Sequence, residues 1–454
     1  MNRLEIRGAS SLASVYVLRM LGLFMVMPVL PILALEYADY TPLLLGLAIG
    51  GYGLTQALLQ IPFGILSDKW GRKPVIMLGL GLFALGSAVA GLADSLWVVV
   101  LGRLLQGTGA IAGAVMALAG DISRDSERPK VMAIIGVAIG FSFYLSLLLG
   151  PMIGAGFGLT GLFLITALLA LLCIPLVWWV VPDSVNLAPT GDTLPNWQKV
   201  RALFANATLM RLNLSVFVLH LLMTLLFVYL PTRFSEQGWS LAQHWQLYLP
   251  ILIASVLGMV VLMRLARVRG VRAILMLSVG LLGLSLLGLA LLPPYFTALL
   301  VLIWLFFSGF NYVEANLPAL VSSLAPAGEK GSAMGIYASF QFAGAALGGV
   351  VAGGLSQWLS ESWVLLFAAL TCLVWLLWLM QGQFEQRHLK RYQLPLTGSP
   401  EQMQQLAKQL ADWAGVRDLT LVPEERTLYL KVDGGQFSLK QARDFVSQQD
   451  KRDE

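Results

Sequence analysis

A short charged segment, GILSDKWGRKP, lies between two long apolar runs. It places one carboxylate, Asp68, among the cations Lys69, Arg72 and Lys73. A second carboxylate, Asp121, ends a later apolar run, so Arg72 can bind two acids through charge-assisted hydrogen bonds. Cations alone suffice to orient a chain in a membrane, which leaves Asp68 unexplained. We therefore predict an acid–base–acid cluster, with Asp68 near the start of the next helix, whose positive end favours a carboxylate.

Ionisable residues inside apolar runs are costly and mark candidate functional positions. There are four of them: Arg19, Arg103, His220 and Glu314. Glu314 is the one carboxylate well inside a run, so we predict that it takes up a proton in one conformation and releases it in another. The alternative is a structural carboxylate, paired with an intramembrane arginine or hydrogen-bonded near Asn311. His220 either titrates near neutral pH or is a hydrogen-bonded structural residue. The two arginines would position substrate or supply a counter-charge.

Polar side chains also recur four residues apart within apolar runs, which places them on one face of a helix. One stripe consists of Tyr52, Gln56 and Gln60, and the other of Tyr337 and Gln341. These residues, with Asn311 close to Glu314 in the sequence, are the candidates to line a polar cavity. Hydrogen bonds between neighbouring helices are the alternative explanation of these stripes.

The composition is that of a membrane protein. Of 454 residues, 57% are hydrophobic and 12% charged, whereas about a quarter of a soluble domain is charged. Many apolar runs exceed the roughly 20 residues that cross a bilayer, and backbone in lipid must form helices. We predict an all-α membrane fold whose twelve spans lie near residues 11–35, 43–66, 74–93, 96–120, 131–156, 159–181, 208–232, 244–264, 272–292, 296–322, 331–356 and 362–381.

Every second connection between these spans carries Lys or Arg, and Arg233 is the one exception among the others. The positive-inside rule therefore predicts that both termini and GILSDKWGRKP are cytoplasmic. The first apolar run is too long for a signal peptide, so we expect it to remain as an uncleaved anchor.

The spans form two groups of six, at residues 11–181 and 208–382, joined by a polar cytoplasmic loop at 182–207. The glycine spacing of Gly136, Gly150 and Gly154 recurs in Gly335, Gly349 and Gly353, as expected for pseudo-symmetric bundles built from repeats. Residues 385–454 read as a soluble cytoplasmic βαββα domain of the ferredoxin-like type, with equal numbers of acidic and basic residues.

Three motifs resemble signatures of the major facilitator superfamily. GILSDKWGRKP is similar to its first cytoplasmic signature through Gly64, Asp68, Gly71 and Arg72. LGRLLQGTGA resembles a second one through Arg103, Gln106, Gly107 and Gly109. LGLFMVMPVLP is similar to a pattern of its drug–proton antiporters through Leu21, Gly22, Pro28, Val29 and Pro31. GPMIG keeps Gly150, Pro151 and Gly154 of the antiporter signature in the fifth span, but Val137 and Ser146 replace earlier glycines of that ladder.

This resemblance implies a twelve-helix transporter of the bacterial inner membrane, in which the Asp68 cluster latches the two halves in the outward-facing state. With its βαββα tail, the chain looks like a group of these transporters that carry a soluble C-terminal domain. The glycines at 107, 109, 150 and 154, with Pro151, would pack helices closely. The implied activity is secondary active transport, as proton-coupled efflux of a small amphipathic or hydrophobic solute. A sensor regulated through the tail and an uncoupled facilitator remain open alternatives.

No P-loop, nucleophile elbow or zinc-type ligand cluster occurs, so we expect no enzymatic activity, metal or bound cofactor, and only a proton gradient as energy source. The two cysteines, Cys173 and Cys372, lie inside apolar runs. The tail has no cysteine and only one histidine, His388, which argues against a soft-metal site. The expected partners are membrane lipid, an unidentified small solute and protons, without nucleic acid, and self-association through the tail is a further expectation.

Overall fold

The structure is a computed structural model that is mostly helical and has a small antiparallel sheet near its carboxyl end. It describes residues 1–123, 127–182, 197–293, 295–326, 330–381, 389–396, 399–422, 426–433 and 436–450. Most of the predicted central loop at 182–207, the basic residue Arg124 and His388 lie outside the described residues.

Sixteen α-helices are assigned in the described part of the chain. They are α1 (Arg3–Phe24), α2 (Leu30–Leu33), α3 (Pro42–Trp70), α4 (Arg72–Gly91), α5 (Leu96–Thr108), α6 (Ala112–Asp121), α7 (Arg128–Pro175), α8 (Trp197–Ala205), α9 (Ala207–Glu236), α10 (His244–Arg269), α11 (Val271–Leu291), α12 (Phe296–Leu324), α13 (Lys330–Leu355), α14 (Glu361–Met380), α15 (Pro400–Ala411) and α16 (Leu439–Asp450). The strands are β1 (Leu389–Pro395), β2 (Val416–Val422) and β3 (Thr427–Asp433).

The first predicted span is divided in the structure. Helix α1 begins at Arg3, well before the predicted start, because Asn2 and Glu5 form a capping box that satisfies backbone N–H groups at its end. It ends at Phe24, and Pro31 lies in the first turn of the short α2, where the missing N–H of proline is tolerated.

The fourth span is also divided, into α5 and α6 on either side of Gly109. The fifth and sixth spans follow one another as α7, interrupted at Gly158. Gly158 has φ of 65° and ψ of −169°, a conformation that is open to glycine and strained for other residues. The predicted division between these two spans therefore falls where the helix breaks.

Ten segments of the described residues are long and apolar enough to cross a membrane. One of them, Lys130–Val180, has 51 residues and contains both the fifth and the sixth spans. The charged α1 is not among the ten. The predicted multi-span helical membrane fold is confirmed, with each of the twelve predicted spans occupied by helix.

The chain forms two compact units. The larger contains α1–α7, α10, α11, α14 and most of α9, α12 and α13. The smaller contains the C-terminal sheet and, besides other segments, Leu317–Tyr337.

The C-terminal sheet has the strand order β1-β3-β2, with both pairs antiparallel. The element order βαββα is the predicted one. Leu394, Leu428, Leu430 and Val432 are buried together with residues of α15 and α16, so this domain has an apolar core of its own.

Candidate functional site

The predicted acid–base–acid cluster is assembled at the junction of α3, α4 and α6. Arg72 forms ion pairs with Asp68 and with Asp121, the latter at 3.1 Å between Nε and Oδ2. Its Nη1 also donates to the hydroxyl of buried Ser67 at 2.8 Å. We call Ser67, Asp68, Arg72 and Asp121 the inner-end cluster, after its predicted cytoplasmic position.

The prediction that Asp68 lies at the start of a helix is wrong. Asp68 lies in the last turn of α3, whose dipole disfavours an anion, and Arg72 is the first residue of α4, whose dipole disfavours a cation. Their ion pair offsets both unfavourable positions. Gly71 separates the two helices with φ of 94°, a conformation that favours glycine, whereas a Cβ on Gly64 would meet nothing within 4 Å.

Three predicted residues from three different helices meet in a second cluster. Gln341 of α13 donates from Nε2 to Glu314 Oε1 of α12 at 3.1 Å, and the same nitrogen lies 2.8 Å from His220 Nε2 of α9. The second carboxylate oxygen, Glu314 Oε2, is itself buried although the side chain is partly exposed; it has no hydrogen-bond partner among the described residues and lies 3.9 Å from His220 Nε2. We call His220, Glu314 and Gln341 the acid–histidine cluster.

The geometry of this cluster selects one form of the imidazole. His220 Nδ1 lies 3.2 Å from the carbonyl oxygen of Val216, which can only accept, so Nδ1 carries a hydrogen. With the Gln341 amide nitrogen facing Nε2, that second ring nitrogen must accept. The arrangement therefore fits neutral His220. Neither Arg19 nor Arg103 is among the described ion-pair partners of Glu314.

A column of aromatic rings leads to the acid–histidine cluster from the first half of the chain. Successive rings meet edge to face, with centroids 5.1–6.4 Å apart: Phe24, Phe143, Phe227, Phe307, Phe310 and His220. Beside this column, the Tyr144 hydroxyl of α7 lies near Ser255 and Asn311, and Asn311 donates to the Ser255 hydroxyl at 3.0 Å. These contacts join the two halves, and Asn311 is engaged in them.

The predicted polar stripe on α3 is buried in the first six helices. The Nη2 nitrogen of Arg19 donates to Tyr52, Gln56 and the Gly109 carbonyl oxygen at 2.9–3.2 Å. Gln56 in turn donates to Gln60 at 3.0 Å. All these side chains are at most 4% exposed, so in this conformation they make hydrogen bonds inside the bundle and do not line an open cavity.

Arg103 lies next to this group and is also buried. It donates to the Ala48 carbonyl oxygen at 3.0 Å and to Gln106 at 2.7 Å, and Gln106 donates to Ser87 at 2.6 Å. Its guanidinium lies over the ring of Tyr52, 5.2 Å from the centroid. Arg103 therefore ties α5 to α3, and Gln106 extends this link to α4. We call Arg19, Tyr52, Gln56, Gln60 and Arg103 the two-arginine cluster.

Helix α13 packs closely on α3 at the end opposite to the inner-end cluster. A Cβ on Gly349 would lie 2.6 Å from the Gly46 carbonyl oxygen, and one on Gly353 would collide with the Pro42 carbonyl oxygen. On the other side of α13, Gly344 and Gly348 face the backbone of α9. The contact of Pro42–Gly53 with Phe342–Gly353 is called the outer seam, and it is closed in this structure.

Close backbone contacts also occur at the glycines predicted to pack helices. Gly107 faces the Tyr52 carbonyl oxygen, Gly109 that of Gly79 and Gly150 that of Met25, while Gly154 faces the side chain of Val29. Pro151 lies within α7 and is buried. Tyr337, the last cavity candidate, is a buried residue of α13.

Two contacts of this part of the molecule have little signal in the sequence. Arg233, the exception to the loop-charge pattern, pairs with Glu361 at 2.5 Å across 128 positions of the chain. Asp39 accepts hydrogen bonds from the backbone N–H groups of Leu96 and Trp97 at 2.9 and 3.2 Å and so caps α5. The sequence analysis missed both partners, and only the misplaced charge of Arg233 pointed to an unusual site.

The sequence profile of the Major Facilitator Superfamily matches residues 12–316 and 312–423. With the helical fold and the motifs above, this places the chain in that superfamily of membrane transporters, which are not enzymes. The chain is 38% identical over 445 residues to the "Inner membrane transport protein YajR" of Escherichia coli (strain K12), covering 96% of this chain and 97% of that protein.

More distant similarity is partial or structural. The "Tetracycline resistance protein, class B" of Escherichia coli is 32% identical over 182 residues, which cover 38% of this chain and 44% of that protein. Among solved structures, the nucleoside transporter NupG has a TM-score of 0.66 at 16% identity, covering 84% of this chain and 99% of NupG. The human organic anion transporter MFSD10 has a TM-score of 0.63 at 21% identity, covering 83% and 100%. Both likenesses concern the fold, and the chain is a multi-pass membrane protein.

Proposed function

We propose that this transporter is a secondary exporter, which exchanges protons for a small amphipathic or hydrophobic solute by alternating access. The observation that carries the proposal is the acid–histidine cluster, where a carboxylate and an imidazole share one amide inside membrane-crossing helices. The Gln341 amide nitrogen contacts both groups, so a proton that enters here changes the hydrogen bonds of all three residues. The proton gradient is the only energy source that the proposal needs.

Proton uptake changes the hydrogen bonds of this cluster. A proton on His220 Nε2 turns that atom from an acceptor into a donor, which conflicts with the Gln341 amide nitrogen 2.8 Å away. The protonated ring then needs an acceptor, and the unpartnered Glu314 Oε2 at 3.9 Å is available after a small shift. Because two donors would then face each other, the Gln341 amide must rotate or move away. Among the described residues, no further charged group forms an ion pair with His220 or Glu314.

Helix α13 connects this change to the conformation of the whole bundle. Gln341 lies about two turns before Gly349, which closes the outer seam against α3. A rearrangement that displaces the backbone at Gln341 also displaces the helix that closes the seam. We therefore assign to α13 the link between proton uptake and access from the predicted periplasmic side.

The direction and the setting of transport are proposals of the same kind. Export is supported by the LGLFMVMPVLP motif and by the partial similarity to a tetracycline resistance protein. The loop charges support a cytoplasmic location of both termini and of the C-terminal domain, and the similarity to YajR supports the inner membrane. In this orientation we assign to the inner-end cluster, whose residues all belong to the first six helices, the role of the conformational latch, released when Asp68 or Arg72 is neutralised. Lipid, protons and the solute are the proposed partners, without nucleic acid.

Proteoliposomes with an imposed pH gradient test the coupling. Each candidate solute is added, and the change in pH inside the vesicles is measured with trapped pyranine. The Glu314→Gln variant is compared with the wild type. We expect the variant to lose proton movement linked to solute, because a neutral amide at position 314 neither takes up a proton nor supplies the anion that balances protonated His220. Glu36→Gln, at an exposed carboxylate outside the cluster, is the matched control and should retain it. If Glu314→Gln and Asp68→Asn both leave solute flux and its pH dependence unchanged, the proposal is wrong.

The independent core of the C-terminal domain favours a second candidate function, in which this domain senses an internal signal or joins two copies of the chain. Deletion of residues 385–454 tests it. A change in regulation or in oligomeric state, with basal proton-linked transport retained, would support the regulatory function. Unchanged regulation and assembly would remove its basis.

A further inference from the structure

The guanidinium of Arg19 has hydrogen-bond donors without acceptors. Arg19 is 1% exposed, and its three described hydrogen bonds all leave from Nη2. The Nε and Nη1 nitrogens, which together carry three N–H groups, are buried and have no hydrogen-bond partner among the described residues. Leaving a buried charged donor unpaired is strongly unfavourable, so such a group calls for a partner that arrives at another stage.

The charge around Arg19 is also uncompensated. Arg103 brings a second buried guanidinium to the same Tyr52, which accepts a hydrogen bond from Arg19 and lies under Arg103. Among the described residues, no carboxylate forms an ion pair with either arginine. Buried cations are normally paired with anions, so within the described residues these two positive charges lack a paired negative group.

The structure assigns the missing group to the solute: we propose that the two-arginine cluster binds the carboxylate of an amphipathic organic anion, with Arg19 Nε and Nη1 as its donors. This inference rests on the proposed function and specifies its substrate class. The rings of Tyr52 and Phe83 flank the cluster, with Phe83 5.5 Å from the Arg19 guanidinium, and they provide an apolar surface for the body of the solute.

Helix α13 also governs access to this cluster. Tyr52 meets Phe342 of α13 edge to face at 6.2 Å, directly beside the outer seam. Movement of α13 away from α3 therefore uncovers Tyr52 and the arginine behind it. The carboxylate of the solute and the proton on the acid–histidine cluster would then be bound in different halves of the molecule, with α13 between them.

Matched ligands that differ only in charge test the inference. The probes are naphthoate, its uncharged counterpart naphthamide, and naphthylmethylammonium, titrated calorimetrically into the purified full chain in nanodiscs. A short series of other aromatic carboxylates, each paired with its amide, completes the panel. We expect carboxylates to bind at least about tenfold more tightly than their amides, because only they form charge-assisted hydrogen bonds with the guanidinium.

Variants locate the preference. Arg19→Gln should reduce the carboxylate-to-amide ratio to about one and leave amide affinity unchanged, and Arg19→Lys should keep part of the preference, since it keeps the charge. Arg267→Gln, which removes an exposed arginine of α10 outside the cluster, is the control and should keep the full ratio. Size-exclusion profiles and the retained amide affinity report on folding.

Three results from the ligand panel and the variants would overturn the inference: no carboxylate in the panel binds better than its amide, the cation binds best, or the preference survives in Arg19→Gln. Inorganic phosphate as competitor distinguishes a general anion site from one for amphipathic carboxylates. Displacement at low phosphate concentration would contradict the assigned ligand class. These outcomes are separate from proton coupling, because unchanged coupling in Glu314→Gln and Asp68→Asn with an intact carboxylate preference rejects only the proposed function.

Discussion

Because the outer seam is closed by backbone contact, we expect one added methyl group to favour its opening by an amount that can be calculated. Gly349→Ala places a Cβ 2.6 Å from the Gly46 carbonyl oxygen, well inside normal contact, and both atoms belong to rigid helices. Overpacking of this kind costs about 1–3 kcal/mol. Since the clash exists only while the seam is closed, the ratio of open to closed molecules should rise by about 5- to 150-fold.

The neighbouring Gly354 provides the matched control. A Cβ there would meet only the end of the Leu43 side chain, at 3.9 Å, so Gly354→Ala has the same chemistry and helix but no clash. Spin labels on Thr41→Cys and Gln357→Cys, both exposed at the ends of the two helices, report the opening by pulsed electron–electron distance measurement. The two native cysteines are buried and are replaced in this background.

The expected result is a longer-distance population in Gly349→Ala that is small or absent in Gly354→Ala. Identical distance distributions in the two folded variants would refute the reasoning, because α3 and α13 would then not depend on backbone contact at this point. A general loss of structure would instead appear as broadened distances in both variants.

Four further predictions concern single contacts. Hydrogen bonds from the backbone N–H groups of Leu96 and Trp97 hold the pKa of the Asp39 carboxyl below its usual value of about 3.9. The ionised carboxylate therefore stabilises the fold fully above a pH of about 3.9, and this contribution is lost as the pH falls through the lowered pKa. Asp39→Asn should therefore lower the melting temperature at neutral pH, measured by scanning fluorimetry, with the difference vanishing in strong acid. Arg233→Gln should destabilise the bundle by leaving the carboxylate of Glu361 without its partner, and adding Glu361→Gln should recover part of the melting temperature. Gln341→Leu should abolish any pH dependence of the spin-label distances across the outer seam, because it removes the bridge between the acid–histidine cluster and α13. Leu430→Ala should cost about 2–5 kcal/mol in the small C-terminal core and expose that domain to limited proteolysis, with the melting temperature of the membrane helices unchanged.

The spans were predictable because their signal is local. An apolar run of bilayer length must be helical whatever surrounds it, so the twelve spans and the alternation of strand and helix in the tail follow from the sequence. The ends of helices depend on caps and breaks of one or two residues. For this reason the start of α1 at Arg3, the interruption at Gly109 and the position of Asp68 in α3 differ from expectation.

The residues that form the clusters could be predicted for similar reasons, but the contacts between them could not. Glu314, His220 and Gln341 stand out as polar groups in apolar runs, yet no periodicity gives the relative rotation of α9, α12 and α13 that brings them together. The same holds for Arg19, whose unpartnered nitrogens become visible only once its neighbours are known. Tyr144, a single tyrosine in an apolar run, had no signal at all.

Helix α13 offers a physical reason why export and proton uptake would be obligatorily linked. Within about three turns it contributes the amide shared by Glu314 and His220, the ring that covers Tyr52, and the glycines of the outer seam. A packed helix moves as a rigid element, so these contacts cannot be made and broken independently. Under the proposed function, proton uptake that displaces the backbone at Gln341 would weaken the seam and uncover the two-arginine cluster in the same motion.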